Sequence, residues 1–254
     1  MRDLVAASDG RPFKPRTMRA STAWGGPTWV RGDQHDAHEA FSVLFDACDG
    51  VDRESLRYLD LPGQGQISAE HYSSPYWQTF GMVQAWTTRC AGCGRTQRRF
   101  EPCALFLLEV PDAPRRLEQL LRQGLPQGEE LEDTCDGCWA YGRRSRDLCV
   151  ARWPRVLVLQ LKRWKVLSLH PFEHIKMDTD VSFQADLVPP QQDAPAYRLR
   201  GVVAHQGDAG GGHYVSYVRT GGDAWYHCDD WVAPKPVGID EVLGSMAYML
   251  LYEA

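Results

Sequence analysis

Apolar residues recur at steps of three and four in one segment of the N-terminal half of the chain. The residues with this spacing are Ala37, Ala40, Phe41, Leu44, Phe45 and Cys48. The spacing places a single apolar stripe along an α-helix. Asp33 stands just before this stripe, at a position where an N-cap side chain is expected. The pattern therefore predicts an amphipathic helix that begins shortly after Asp33.

A different pattern starts at Phe80, where β-favouring stretches alternate with Gly and Pro. The predicted strands are residues 83–88, 104–110, 155–164, 197–205, 213–219, 225–228 and 247–252. Two short helices are predicted at residues 115–122 and 239–243. The chain is therefore expected to have an α+β fold whose second half is a sheet. Residues 1–33 show no sustained periodicity of apolar residues, and we assign them no function.

Composition and charge exclude several classes of function. The 254 residues carry a formal net charge of -5 with dispersed Lys and Arg, which disfavours nucleic acid as a partner. Residues 1–10 are charged and lack the apolar core of a signal peptide. The longest apolar runs fall far short of the roughly 20 residues of a membrane span. We expect a soluble monomer in the cytoplasm, the nucleus or both, with no membrane partner.

Four cysteines form two Cys-x-x-Cys pairs, Cys90 with Cys93 and Cys135 with Cys138, and 41 residues separate the pairs. Each pair can aim two thiolates at one ion, and a glycine permits each tight turn. The spacing predicts a structural Zn²⁺ with four thiolate ligands and no open position for catalysis. We expect two or three strands between the pairs, with the metal at the tip of a β-extension. Disulfides or redox-active pairs are the alternatives, which an intracellular chain disfavours.

A second group of polar residues lies near the C-terminus. His205 and His213 flank a loop with three consecutive glycines, and the predicted strand 225–228 is followed by Asp229 and Asp230. A hairpin turn at residues 220–223 would bring these carboxylates to His213. A carboxylate beside an imidazole fixes its tautomer and stabilises its protonated form, as a general base requires. The alternative is a polar turn that closes a strand.

Taken together, these segments resemble the ubiquitin-specific protease family of deubiquitinating enzymes. This papain-like domain has a palm, a thumb and zinc-tipped β fingers. The matching segments are residues 34–41, 88–110, 135–138, 153–164, 197–205, 212–215, 225–226, 229–230 and 247–252. His35 and Ala40 depart from the family pattern in the first segment. The resemblance implies a domain over residues 34–254, with fingers at about 80–155.

The resemblance also implies roles for individual residues. His213 would be the general base, Asp229 the residue that orients it, and Asp230 a second polar support. The residues implied to bind ubiquitin are Asp36, Glu39, His205, Gly211, Gly212 and Tyr214. Among these, Asp36 and Glu39 lie on one helical face and would meet arginines in the ubiquitin tail. A capping role for Asp36 fits its position equally well.

The nucleophile of the family is the element that we do not find. Its motif, an Asn shortly before a Cys-Tyr pair, precedes the first helix, and residues 1–47 contain no cysteine. Cys48 lies on the apolar stripe of that helix, and strand alternation turns Cys228 away from Asp229. Cys103 and Cys149 fall in the predicted finger strands. None has the electropositive setting that activates a thiol.

The family resemblance implies thiol-dependent hydrolysis of the isopeptide or peptide bond at the C-terminal glycine of ubiquitin. The sequence as given lacks the nucleophile and is expected to be inactive alone, with part of the thumb missing. We expect that the nucleophile motif lies upstream of Met1 in a longer protein. The alternative is a catalytically inactive pseudoenzyme that binds ubiquitin or ubiquitinated proteins.

Overall fold

A computed structural model of the chain describes residues 36–49, 75–170, 172–208, 211–230 and 232–254. Its helices are α1 (Ala37–Asp49), α2 (Pro75–Phe80), α3 (Leu117–Gly124) and α4 (Ile239–Leu243). Its first strands are β1 (Met82–Cys90), β2 (Thr96–Cys103), β3 (Phe106–Glu109), β4 (Arg115–Arg116), β5 (Glu129–Leu131), β6 (Arg144–Arg152), β7 (Val156–Lys162) and β8 (Trp164–Leu169). The remaining strands are β9 (Phe172–Lys176), β10 (Val181–Ser182), β11 (Asp186–Leu187), β12 (Tyr197–Asp208), β13 (Gly211–Arg219), β14 (Trp225–Cys228), β15 (Lys235–Val237) and β16 (Ala247–Glu253).

A four-stranded antiparallel sheet forms an extension with the strand order β2-β1-β6-β5. The β1–β6 ladder runs from Val83 opposite Arg152 to Cys90 opposite Arg144, so both cysteine pairs lie at its far end. This position at the tip of a β-extension is the one predicted. The sequence predicted two or three strands between the pairs, whereas four lie there, β2 to β5, because the chain leaves the extension after β2. It then forms β3, β4 and α3 in the main body before β5 returns.

The main body is built on a larger sheet with the order β15-β14-β13-β12-β16-β7-β3, and β11 pairs with β12. Only β3 and β7 run parallel among these pairs. Strand β7 is almost entirely apolar and is buried on both faces, as expected of a central strand covered on two sides. One face packs with α3 around a core that includes Leu108, Leu121, Leu159, Val202 and Leu250.

Helices α1 and α2 lie together at the other face of this sheet. Phe41 and Phe45 of α1 contact Phe80 edge-on, and Phe45 also meets Trp77 at 5.3 Å between ring centroids. Ala37, Phe41 and Phe80 pack against the sheet residues Val158, Tyr248 and Met249. Ala37, Phe41 and Phe45 of the apolar stripe therefore face the sheet and α2, as the amphipathic pattern predicts.

The elements confirm the predicted α+β class and most predicted strands. The helix predicted at residues 115–122 begins at Leu117, because Arg115 and Arg116 pair with β10 instead. The predicted strand 155–164 is divided at Arg163 into β7 and β8. Strands β2, β6 and β9 were not recognised from the alternation of β-favouring stretches. No helix in the described ranges is long and apolar enough to cross a membrane.

Candidate functional site

The β13–β14 hairpin brings His213 and Asp229 together. Ser216 lies opposite Cys228 and Arg219 opposite Trp225, so β14 ends close to the point where β13 begins. The turn is closed by a hydrogen bond of 2.9 Å from the backbone N–H of Thr220 to the carbonyl of Ala224. The predicted hairpin is therefore confirmed.

The imidazole of His213 lies between two carboxylates. Nε2 is 2.7 Å from Oδ1 of Asp229, and Nδ1 is 3.8 Å from Oδ2 of Asp230. Because a carboxylate only accepts, the shorter contact requires Nε2 to carry the proton. The longer contact is beyond hydrogen-bond range, which leaves the lone pair of Nδ1 available to accept a proton. The pair has the chemistry of a base and the residue that orients it.

These three side chains are open to solvent. Their exposed fractions are 43% for His213, 39% for Asp229 and 58% for Asp230. Their ligand atoms lie within 4.8 Å of one another, which is close enough to share a metal ion. The short hydrogen bond already satisfies Nε2, however, which favours a hydrogen-bonded His–Asp pair over a shared metal ion.

The glycine-rich loop between β12 and β13 is held by backbone pairing and by one buried lysine. Gly207 lies opposite Gly212, and Gly207 has a φ of 115°, which only glycine adopts without strain. The Lys176 ammonium donates to the carbonyls of His205 and Gly207 at 3.0 and 2.7 Å. Ala209 and Gly210 lie outside the described residues, so the tip of the loop is not described here.

Substitution of Gly212 by alanine is expected to disrupt this end of the hairpin. A Cβ atom at this position would lie 2.2 Å from the carbonyl oxygen of Gln206 and 2.5 Å from the His205 ring. We expect Gly212→Ala to lower the free energy of unfolding by about 2–3 kcal/mol. Gly222→Ala is the matched control, because no atom lies within 4 Å of its Cβ position. Equal urea-unfolding midpoints for both variants would contradict this account.

His205 does not lie at the surface. It is 6% exposed, and its ring packs against Trp164 at 5.3 Å and Tyr214 at 4.7 Å between centroids. Burial, together with the nearby charge of Lys176, lowers the pKa of His205. The side chain is therefore a neutral support beneath Gly212. Any part that it plays in ubiquitin binding would act through the shape of the loop.

Asp36 and Glu39 differ in their environment. Asp36 is the N-cap of α1, since its Oδ1 accepts the backbone N–H of His38 at 2.8 Å and its carbonyl accepts the N–H of Ala40. Asp36 therefore does cap the helix, but it takes the N-cap position that the sequence assigned to Asp33, which itself lies outside the described residues. Glu39 is exposed, and the structure gives its carboxylate no ion pair within the described ranges.

The Asp36–His38 contact makes the anchoring of α1 depend on pH. Burial raises the pKa of Asp36, but hydrogen bonds from His38 and Tyr248 outweigh it and hold that pKa below 3.8. The hydrogen bond to Asp36 raises the pKa of His38 above 6.5, and burial offsets this only in part. Glu39 adds a smaller electrostatic contribution in the same direction. The partners that face this pair are the phenols of Tyr248 and Tyr214.

We expect the stabilisation from this pair to be greatest in mildly acidic solution. The Asp36 contribution is present above its unfolded pKa and is lost as pH falls through its lower folded pKa. The His38 contribution is complete below about pH 6.5 and is lost as pH rises through its higher folded pKa. The difference in melting temperature between wild type and His38→Gln should therefore shrink from about pH 5.5 to pH 9. A melting-temperature difference that grows with pH would contradict this role of His38. His170→Gln, at an exposed histidine, is the control.

The four cysteines at the tip of the extension form a compact group. Sγ of Cys90 lies 3.7 Å from Sγ of Cys138, Sγ of Cys93 lies 3.9 Å from that of Cys135, and all four lie within 4.8 Å. A tetrahedron with metal–sulfur bonds of about 2.3 Å has edges of about 3.8 Å. A disulfide would need about 2.05 Å. The group can therefore hold a metal ion, and its spacing is not that of disulfides.

The local backbone supports thiolate formation at Cys90, whose pKa is lowered to about 7 by the backbone N–H groups of Cys93 and Gly92. At Cys138 the backbone N–H of Ala140 acts in the same direction, but burial and the three neighbouring thiols raise the pKa to about 11. Thiolates are the form in which cysteine binds a metal. A Cβ atom on Gly92 would meet Sγ of Cys138 at 3.3 Å, so the glycine allows the two turns to approach.

The free thiols of the described residues do not join His213. Cys228 lies opposite Ser216, which also hydrogen-bonds its thiol, and strand alternation turns it away from Asp229. Burial raises the pKa of Cys228, which disfavours its thiolate. Cys103 and Cys149 lie on β2 and β6 of the extension, as predicted. The side chain of Cys48 lies outside the described part of the chain.

Two residues at the site gave no signal in the sequence. Tyr248 belongs to an apolar run that reads as a buried strand, yet its hydroxyl donates to Oδ2 of Asp36 at 2.5 Å. Lys176 reads as an exposed lysine, although its side chain is 6% exposed and holds the glycine-rich loop. Neither partner is near in sequence, so only the tertiary fold reveals these contacts.

The fold and the His213–Asp229 pair define a domain of the ubiquitin-specific protease type. The fold is similar to that in the SAGA Ubp8/Sgf11/Sus1/Sgf73 DUB module bound to ubiquitin aldehyde, with a TM-score of 0.69 and 25% identity. That match covers 91% of this chain and 52% of the other. The module bound to monoubiquitin matches with a TM-score of 0.72 at 24% identity, over 93% of this chain and 52% of the other. The predicted palm and β fingers are thereby confirmed.

The sequence matches the family described as ubiquitin carboxyl-terminal hydrolase over residues 1–252. The chain belongs to this family. It is 28% identical to ubiquitin carboxyl-terminal hydrolase 20 of Arabidopsis thaliana, over 95% of this chain and 34% of the relative. It is also 28% identical to ubiquitin carboxyl-terminal hydrolase 17-like protein 5 of Homo sapiens, over 87% of this chain and 41% of the relative. The chain thus spans about a third of the length of the first curated relatives.

Proposed function

We propose that this chain acts in protein deubiquitination, as the part of a thiol-dependent ubiquitin hydrolase that binds the ubiquitin tail and supplies the base. The observation that carries this proposal is the 2.7 Å hydrogen bond between His213 and Asp229 beside the glycine-rich loop, in a member of this family. The bond to be cleaved is the isopeptide or peptide bond at the C-terminal glycine of ubiquitin.

Each site residue has a role in this proposal. Nδ1 of His213 takes the proton of the attacking thiol, Asp229 holds the ring, and Asp230 adds negative charge that stabilises the protonated imidazole. Gly211 and Gly212 allow an extended peptide to approach the backbone closely. We place the ubiquitin tail in a groove between α1 and the glycine-rich loop. Tyr214 and Glu39 would contribute to its wall, and Glu39 would also supply a negative charge.

The ion at the fingertips is proposed to be structural Zn²⁺, bound by the four thiolates of the cysteine group. Four protein ligands leave no position for water or substrate, so the ion would stabilise the fingers without entering the chemistry. We also propose that the protein is a monomer in the cytoplasm, the nucleus or both, and that the domain covers residues 34–254.

A ubiquitin-binding pseudoenzyme is the second candidate. It is favoured by the orientation of Cys228, because none of the thiols whose positions are described lies on the side of the sheet that carries His213. In this case the groove would bind the ubiquitin tail without cleaving it.

Hydrolysis of ubiquitin that carries a C-terminal fluorophore separates the two candidates when it is measured on the full-length native protein, because these 254 residues alone are expected to be inactive under both. Hydrolysis that His213→Ala abolishes, and that a thiol-alkylating reagent also abolishes, would establish the hydrolase. Binding without hydrolysis would establish the pseudoenzyme. Hydrolysis unaffected by His213→Ala would contradict the role of His213, and Asp230→Asn, expected to retain part of the rate, serves as the graded control.

A further inference from the structure

The first turn of α1 is tied to the central sheet by a chain of polar contacts. Gln160 of β7 donates from Nε2 to the hydroxyl of Tyr248 at 2.9 Å, and that hydroxyl donates to Oδ2 of Asp36 at 2.5 Å. Nδ1 of His38 lies 2.6 Å from Oδ1 of Asp36 and 3.1 Å from the Tyr248 hydroxyl. We call Gln160, Tyr248, Asp36 and His38 the α1 latch.

The latch is buried at its sheet end. Tyr248 is 0% exposed and Gln160 is 4% exposed. Neither the Tyr248 hydroxyl nor the Gln160 amide can therefore exchange its partner for water unless α1 separates from the sheet. Burial and then the hydrogen bond to Asp36 raise the pKa of Tyr248, so the phenol keeps its proton and remains a donor. The hydrogen bond from Tyr248 to Asp36 therefore persists across the physiological pH range.

The latch uses the carboxylate of Asp36 internally. Oδ1 accepts from the backbone N–H and from the ring of His38, while Oδ2 accepts from Tyr248. The side chain is only 17% exposed. These contacts fill three of the roughly four acceptor sites of the carboxylate, so it cannot accept a bidentate guanidinium without losing a partner, which is costly. Asp36 thus acts as a cap and an anchor, unlike the ubiquitin contact that the family resemblance implies.

Glu39 is the other carboxylate in the first turn of α1, and it faces solvent. It lies three residues after the anchored Asp36, so the latch fixes its position relative to the sheet and to Tyr214. Tyr214 packs on Tyr248 at 5.7 Å between ring centroids, which joins the same turn to the strand that begins at the glycine-rich loop. The latch therefore sets the spacing between Glu39 and that loop.

We propose that Tyr248 is a positioning residue for ubiquitin binding, which acts by holding Asp36 so that Glu39 faces the basic C-terminal segment of ubiquitin. This inference rests on the proposed function. It assigns the ionic contact to Glu39 alone and gives Asp36 and Tyr248 an indirect role.

A double-mutant cycle on the zinc-loaded chain tests the inference, with ubiquitin affinity measured by calorimetry at a temperature where every variant is folded. We expect Glu39→Gln and Tyr248→Phe each to weaken ubiquitin binding about fivefold, as for a partly exposed ionic contact. Since Tyr248 acts through Glu39, the double variant should also be weakened only about fivefold, rather than about 25-fold. Raising the salt concentration should reduce the effect of both single substitutions.

Tyr252→Phe is the matched control. Tyr252 is equally buried on the same strand, and its hydroxyl donates to the carbonyl of Gln184 on the other side of the sheet. The Tyr252→Phe substitution should lower the melting temperature as Tyr248→Phe does, without changing the affinity for ubiquitin. Unchanged affinity in Tyr248→Phe, or effects that multiply in the double variant, would overturn the inference alone. A folded wild type that binds no ubiquitin would overturn the proposed function and, with it, this role of Tyr248.

Discussion

Replacement of Cys135 by serine is expected to abolish stoichiometric zinc binding and to unfold the far end of the fingers. Cys135 is buried at 1% exposure, and it links the β5–β6 connection to the β1–β2 turn through Cys93. Few apolar side chains are buried near this tip, so a metal ion bound there would be the main source of its stability. Structural Zn²⁺ contributes on the order of 10 kcal/mol to small domains that depend on it.

The effect of Cys135→Ser should appear in three measurements. Metal content should fall from one zinc per chain to none, amide exchange in β1 and β6 next to Cys90 should accelerate, and the melting temperature should drop by about 10 °C or more. Cys149→Ser is the matched control, because Cys149 lies on β6 outside the cysteine group. Retention of one zinc by the Cys135 variant would contradict the four-thiolate site.

Replacement of Arg163 by methionine is expected to destabilise the main body strongly. Arg163 is 1% exposed, and its guanidinium donates to the carbonyls of Ala247, Met177 and Thr179 at 2.7, 2.9 and 2.9 Å. These contacts join the β7–β8 junction to the start of β16 and to the segment before β10. Methionine preserves much of the side-chain volume but removes the guanidinium donor from all three carbonyls, in two buried hydrogen bonds and one partly buried one.

Each unpaired buried carbonyl costs about 1–3 kcal/mol, so we expect Arg163→Met to lose at least about 3 kcal/mol. The melting temperature should fall by about 6–12 °C. Arg155→Met is the matched control, because that side chain is 68% exposed and its ion pair with Glu253 is a surface contact. Its loss should remain below about 1 kcal/mol. Similar melting temperatures for the two variants would show that the buried guanidinium does not stabilise the fold.

The parts of the fold with a regular pattern could be predicted from the sequence. The apolar stripe from Ala37 to Phe45 predicted α1. Strand β14 was predicted with its observed bounds because its hydrophobic run ends at Asp229. The contact between His213 and Asp229 was predicted because a hairpin needs only local turn residues. The cysteine group was predicted because metal ligands have characteristic spacing.

Contacts between residues distant in sequence could not be predicted in this way. Strand β2 is largely exposed, so it shows none of the apolar alternation of a half-buried strand. Arg163 lies within the predicted strand 155–164, where nothing in the sequence indicates burial, and its three carbonyl partners explain why it is buried. Asp36 and Tyr248 are 212 residues apart. Their contact depends on how α1 packs on β16, which no local pattern encodes.

We propose that this chain binds the tail of ubiquitin in the groove between α1 and the glycine-rich loop. The most direct test of this binding compares the affinity of the folded, zinc-loaded chain for intact ubiquitin with its affinity for ubiquitin that lacks the last six residues. We predict binding of intact ubiquitin, and at least about tenfold weaker binding of the shortened form, about 1.4 kcal/mol. Equal affinity for both forms, or no binding of intact ubiquitin up to about 500 μM, would contradict the account.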